Sequence, residues 1–136
     1  MRDARLSVES GADGIIVSNH GGRQLDGTVS PLRVLPGIVT ACAGVPVMVD
    51  SGFRRGTDVL KALAMGARFV FVGRPFNYAA AVAGEAGVRK GIALLREEVS
   101  RDMAMLGVTS TSAVQGDSLL QSNPSASLPN TRQSPR

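Results

Sequence analysis

The chain's only histidine, His20, stands in the string Ser18-Asn19-His20-Gly21-Gly22-Arg23-Gln24-Leu25-Asp26, directly after the apolar run Gly14-Ile15-Ile16-Val17. Imidazole titrates near neutral pH and can act as a general base. Arg23, three residues on, can hold a planar carboxylate through two parallel N–H groups. Two glycines between them let backbone or ligand approach closely. A plainer reading makes His20 a loop histidine bonded to backbone and Gly21-Gly22 a turn. A second string, Asp50-Ser51-Gly52-Phe53-Arg54-Arg55-Gly56-Thr57-Asp58, follows the apolar run Val45-Pro46-Val47-Met48-Val49. A third, Gly73-Arg74-Pro75, follows Phe69-Val70-Phe71-Val72. Glycines, small polar residues and arginines before a helix suit a phosphate monoester, which takes free backbone N–H groups, a helix N-terminus and guanidinium charge. Ordinary connecting loops with solvated arginines are the bland alternative. Two such turns in register favour phosphate.

These strings need a scaffold. The three apolar runs are short, β-branched or aromatic and lack polar alternation, as in strands of a parallel sheet buried on both faces. Helical patterns separate them. One covers 4–10 and ends at Gly11, a second opens at Ser30-Pro31 and repeats Leu32, Leu35, Ile38 and Val39, and a third opens at Thr57-Asp58 and repeats Val59, Leu60, Leu63 and Ala64. Ser30 suits an N-cap and Pro31 the first helical position. A short helix over 76–83 follows the last run. A longer one over 88–106 carries the stripe Ile92, Leu95, Val99, Met103 and Leu106. This rhythm is α/β, with one βα unit in roughly 25–30 residues. In parallel α/β folds ligands sit at the carboxyl ends of strands, and two consecutive phosphate turns match the phosphate site of (β/α)8 barrels. From Gly116 the chain turns polar and Pro-broken, so the expected layout is a folded part over 1–115 and a disordered tail over 116–136.

Composition excludes several classes. A length of 136 residues suits one domain, and 43% hydrophobic residues are too many for a disordered protein. No apolar run has the length of a transmembrane helix, and Met1-Arg2-Asp3 leads into no signal-peptide core. A single Cys42 excludes an internal disulfide framework and a Cys-based zinc site, so a reducing, cytoplasmic setting and no metal are expected. Lys and Arg total 15 and the net charge is +4. The arginines are scattered rather than bunched, and 4% aromatic residues leave little to stack bases on. No nucleic-acid partner is expected.

The stretch from Gly14 to Asp26 resembles the signature of the FMN-dependent α-hydroxy acid oxidases and dehydrogenases, the family of glycolate oxidase, lactate oxidase and mandelate dehydrogenase. Asp50 to Asp58, Lys61-Ala62-Leu63-Ala64, Gly73-Arg74-Pro75 and Met103-Ala104-Met105-Leu106-Gly107 continue the likeness, to about Val114. The resemblance implies oxidation of a small (S)-2-hydroxy acid to the 2-oxo acid with FMN as cofactor, and homo-oligomers for full-length members. It gives His20 the role of base and Arg23 that of carboxylate clamp, so both meet the substrate. Ser18 lies near the flavin. Asp50, Ser51, Gly52, Phe53, Arg54, Gly73 and Arg74 correspond to the ribityl-phosphate site. Proton or hydride loss from the substrate carbon stays open.

The family barrel needs about 250 residues. Three strand signals are present here, resembling strands six to eight, and the acidic partner of the histidine has no counterpart in this sequence. The expectation is therefore the carboxyl-terminal part of a (β/α)8 barrel, about three βα units, inactive alone, with a bare inner sheet face. Two alternatives stand beside it. One is another phosphate-binding barrel of the inosine monophosphate dehydrogenase or type 2 isopentenyl diphosphate isomerase kind. The other is a non-catalytic barrel fragment that acts through oligomerisation.

Overall fold

Each apolar run supplies a strand: β1 (Ile15–Val17), β2 (Val47–Val49) and β3 (Phe69–Val70). The computed structural model describes residues 1–119. The strands pair in parallel in the order β1-β2-β3, with Val17 opposite Val49 and Val49 opposite Val70. Side chains alternate between the faces of a strand. Val17, Val47 and Val49 therefore share one face, buried with Leu35 and Ile38 of α2 (Pro31–Ala41) and Ala62 of α3 (Gly56–Ala64). Ala4 and Val8 of α1 (Arg2–Glu9) pack against the same core.

All three helices thus cover one face. A doubly wound sheet places helices on both faces, whereas neighbouring consecutive strands with every helix on one side form the wall of a barrel. Among the described residues, no helix covers the other face. Ile16 and Phe69 are 53% and 54% exposed, and Phe71 beyond them is 39% exposed. The rings of Phe69 and Phe71 meet edge to face with centroids 4.9 Å apart.

Helix α4 (Arg74–Met105) is two segments in one. The backbone breaks at Ala83 and at Gly84, whose φ of 53° and ψ of −136° suit glycine alone. Gly87 lets the second segment cross the first, since a Cβ there would run into the Ala79 carbonyl. The apolar stripe is less buried than its spacing predicts. Leu95, Val99 and Met103 are half-buried, and Ile92 and Leu106 are exposed, because this segment packs mainly against α3. Ser30 also departs from expectation. Its hydroxyl caps no amide, and Pro31 alone sets the start of α2. After Gly107 the chain returns to α3 and buries Val114, and Gly116–Ser118 form a 3-10 turn there, so the first residues of the expected tail are ordered against the fold. The rest of that tail, 120–136, lies outside the described residues.

Candidate functional site

The carboxyl ends of the three strands open into one cavity of about 260 Å³. Ser18, His20 and Arg23 reach it from β1, Asp50, Ser51, Gly52, Phe53 and Arg54 from β2, and Gly73 and Arg74 from beyond β3. Residues far apart in sequence are brought together because parallel strands in register end at the same level.

After β1 the chain makes a tight 3-10 turn, His20–Gly22. His20 has a φ of 57°, in the left-handed region, and Ser51 at the end of β2 has a φ of 86°. Such conformations cost non-glycine residues about 1–3 kcal/mol each and cluster at functional sites. Side-chain hydrogen bonds hold both. The His20 amide donates to Ser18 Oγ at 3.0 Å, and the Gly21 amide donates to Ser51 Oγ at 3.0 Å. Ser18 Oγ donates to Asp50 Oδ2 at 3.0 Å, and the Ser51 amide donates to Asp50 Oδ1 at 2.6 Å. Across the cavity, Arg74 Nη2 donates to the Gly21 carbonyl at 2.9 Å. The imidazole of His20 and the guanidinium of Arg23 are exposed and bond to no protein group among the described residues. Both are free for a ligand.

The two arginine-bearing turns differ. At the start of α3, Asp58 Oδ2 accepts the amides of Arg54 and Arg55, each at 3.0 Å. Glu98 of α4 accepts the Gly56 amide at 2.8 Å and pairs with Arg55 at 2.9 Å. The Gly56 N–H above all, and then Arg55, hold the Glu98 carboxyl below its ordinary value against a smaller opposing effect of burial. The amides of Arg54, Arg55 and Gly56 at this helix start are thus already taken by carboxylates. Arg54 alone of the pair lines the cavity. At the start of α4, the amides of Gly73 and Arg74 donate to no protein acceptor among the described residues. Phe53 lines the cavity and is also part of the core, 4% exposed.

Asn77 and Pro75 of the first turn of α4, and Phe71, line the cavity as well. The sequence carried a signal for Asn77, which lies three residues past Arg74 and so on the same helix face. Glu98 carried none, because its role arises where α4 crosses α3.

The FMN-dependent dehydrogenase family matches residues 1–121. Glycolate oxidase 1 of Oryza sativa subsp. indica is 58% identical over 109 residues, which cover 79% of this chain and 30% of that protein. Two solved structures are similar. A soluble mutant of the membrane-associated (S)-mandelate dehydrogenase from Pseudomonas putida has a TM-score of 0.82 at 46% identity, over 85% of this chain and 33% of that one. A mandelate oxidase with benzoyl-formic acid has a TM-score of 0.80 at 52% identity, over 84% of this chain and 34% of that one. The chain spans about 30% of the length of the curated relatives it matches.

Proposed function

The chain belongs to the FMN-dependent dehydrogenase family, and from that premise we propose that it serves the oxidation of a small (S)-2-hydroxy acid to the 2-oxo acid. The observation that carries this reading is one cavity whose lining combines two kinds of group. The exposed imidazole of His20 and guanidinium of Arg23 share it with Arg54, Arg74 and the Gly73 and Arg74 amides, which meet no protein acceptor among the described residues.

The donor set fits FMN at its phosphate end. Guanidinium groups and the open N-terminus of α4 suit a phosphate monoester. Gly52 and Gly73 have nothing within 4 Å of where a Cβ would stand, which leaves room for a ribityl chain. When bound, FMN accepts the two reducing equivalents of the substrate. Arg23 clamps the substrate carboxylate, and His20 Nε2 or Nδ1 takes a proton from the hydroxy acid. Ser18 and Asp50 hold the His20 turn from below. Arg54 and Arg74 retain the phosphate.

The test is anaerobic and uses these residues within a complete (β/α)8 barrel: a panel of 2-hydroxy acids is added to the FMN-loaded protein and bleaching of the flavin is followed. Bleaching with release of the 2-oxo acid is expected. Bound flavin that no member of the panel bleaches overturns the reading. His20→Ala should keep FMN and lose about 100-fold or more of the bleaching rate, the usual contribution of a positioned base.

The bare sheet face favours a second reading for the chain by itself, self-association through Ile16, Phe69 and Phe71. Light scattering coupled to size exclusion, with flavin absorbance read in parallel, separates the two. A flavin-free oligomer supports association, and a yellow species supports the enzyme. No described helix is long and apolar enough to cross a membrane, and the buried free thiol of Cys42 suits the cytoplasm.

A further inference from the structure

Gly21 follows the base His20 directly, and both of its backbone polar groups are held by side chains from the other two strand ends. Its amide donates to Ser51 Oγ at 3.0 Å, and its carbonyl accepts from Arg74 Nη2 at 2.9 Å. A Cβ at Gly21 would stand 2.7 Å from Arg74 Nη2, and the residue has a φ of 67°, so only glycine admits this contact. Ser51 also lies 3.1 Å from Ser18 Oγ, the group that takes the His20 amide.

The hydrogens have one consistent direction. A carboxylate only accepts, so the Ser18 hydroxyl donates its hydrogen bond to Asp50 and its oxygen is left to accept from His20 N–H and from Ser51 O–H. Ser51 Oγ in turn accepts from Gly21. The network is directed and ends on Asp50. It holds two residues, His20 and Ser51, in left-handed conformations that a free loop would leave.

We propose that Ser51 and Arg74 couple the phosphate end of the cavity to the conformation of the His20 turn, with Ser51 as a positioning residue for the base. The coupling rests on the assignment of the phosphate end made above. Arg74 is shared: one guanidinium nitrogen holds the Gly21 carbonyl, and the rest of the fork faces the cavity at the open start of α4. An anion that fixes Arg74 there also fixes the carbonyl beside His20. By linkage, a turn already held in place binds the anion more tightly. A seated phosphate would then tighten the turn that already carries the base.

The experiment is amide hydrogen exchange and proton NMR on the full chain, with inorganic phosphate as the probe against chloride at matched ionic strength. In the wild type, phosphate should perturb Gly73 and Arg74, slow exchange at Gly21 and shift the imidazole protons of His20. Ser51→Gly removes the hydroxyl while glycine accepts the positive φ, so the fold is not strained. Its Gly21 amide should exchange roughly tenfold faster, the loss of one hydrogen bond, and the response of His20 to phosphate should vanish while that of Gly73 persists. Arg74→Lys keeps the charge without the fork and should likewise uncouple Gly21 from Gly73. A wild-type response at Gly73 with none at Gly21 or His20 overturns the coupling alone. No response at Gly73 or Arg74 overturns the phosphate site, and unchanged Gly21 exchange in Ser51→Gly overturns the positioning role by itself.

Discussion

At the turn into α3, three successive amides, those of Arg54, Arg55 and Gly56, are taken by the carboxylates of Asp58 and Glu98. At the turn into α4, the amides of Gly73 and Arg74 meet no acceptor among the described residues, and Arg74 leans across to the carbonyl of Gly21. Both turns follow a strand, carry glycine and arginine and open a helix. A helix N-terminus attracts whatever anion can reach it. Where the fold delivers its own carboxylate, the N-terminus becomes a joint between helices. Where it delivers none, the amides stay open to the cavity.

The joint can be broken most severely at Gly56. A Cβ there would stand 2.6 Å from the Val99 amide nitrogen and 2.7 Å from the Glu98 carbonyl carbon, backbone that cannot step aside. Gly56→Ala should destabilise the protein by about 3 kcal/mol, near the upper end of overpacking costs, read by denaturant unfolding. A midpoint equal to wild type would mean the helices are not locked here.

The open turn is tested next. Arg74→Ala should weaken FMN binding by about 1.5–3 kcal/mol, the worth of hydrogen bonds to a charged group, and leave riboflavin binding nearly unchanged. Arg55→Ala should leave the FMN-to-riboflavin ratio at its wild-type value, because Arg55 pairs with Glu98. Flavin fluorescence titration reads both. Equal effects of the two variants would erase the distinction between the turns.

Glu98→Gln keeps the shape of the joint and removes its charge. A modest fall in the urea midpoint is expected from the lost helix-dipole and ion-pair contributions, with the FMN-to-riboflavin ratio unchanged. The smallest effect is in pH. The Glu98 carboxyl is lowered in the folded protein, chiefly by the Gly56 N–H. Its stabilisation is therefore complete above the ordinary glutamate value and fades as pH falls through the lowered one. Urea midpoints across this acid range should drop more steeply for wild type than for Glu98→Gln, and parallel curves would remove Glu98 from the joint.

Much of this was legible in advance, for local reasons. The apolar runs at 14–17, 45–49 and 69–72 each supply a strand, because short β-branched segments have few other ways to bury themselves. The break between the halves of α4 falls at Ala83 and Gly84, where the helical pattern lapses. The residues singled out at the strand ends converge on one cavity, because parallel register carries them there. The misreadings have a common cause. Ser30 left its helix uncapped and the stripe on α4 stayed half open. Each depended on what packs against the residue, and a local pattern does not contain that.

The amino-acid sequence by itself determined the element order, the strand-end positions of His20, Arg23, Arg54 and Arg74, and the family resemblance those residues carry, because propensity, spacing and residue chemistry act over a few neighbours. Tertiary structure alone decided that Glu98 closes one helix start, that Arg74 braces Gly21, and that His20 and Ser51 are held at positive φ. These depend on groups 30 or more residues apart reaching hydrogen-bond distance. Only the packing of helices on one side of a parallel sheet brings such groups together.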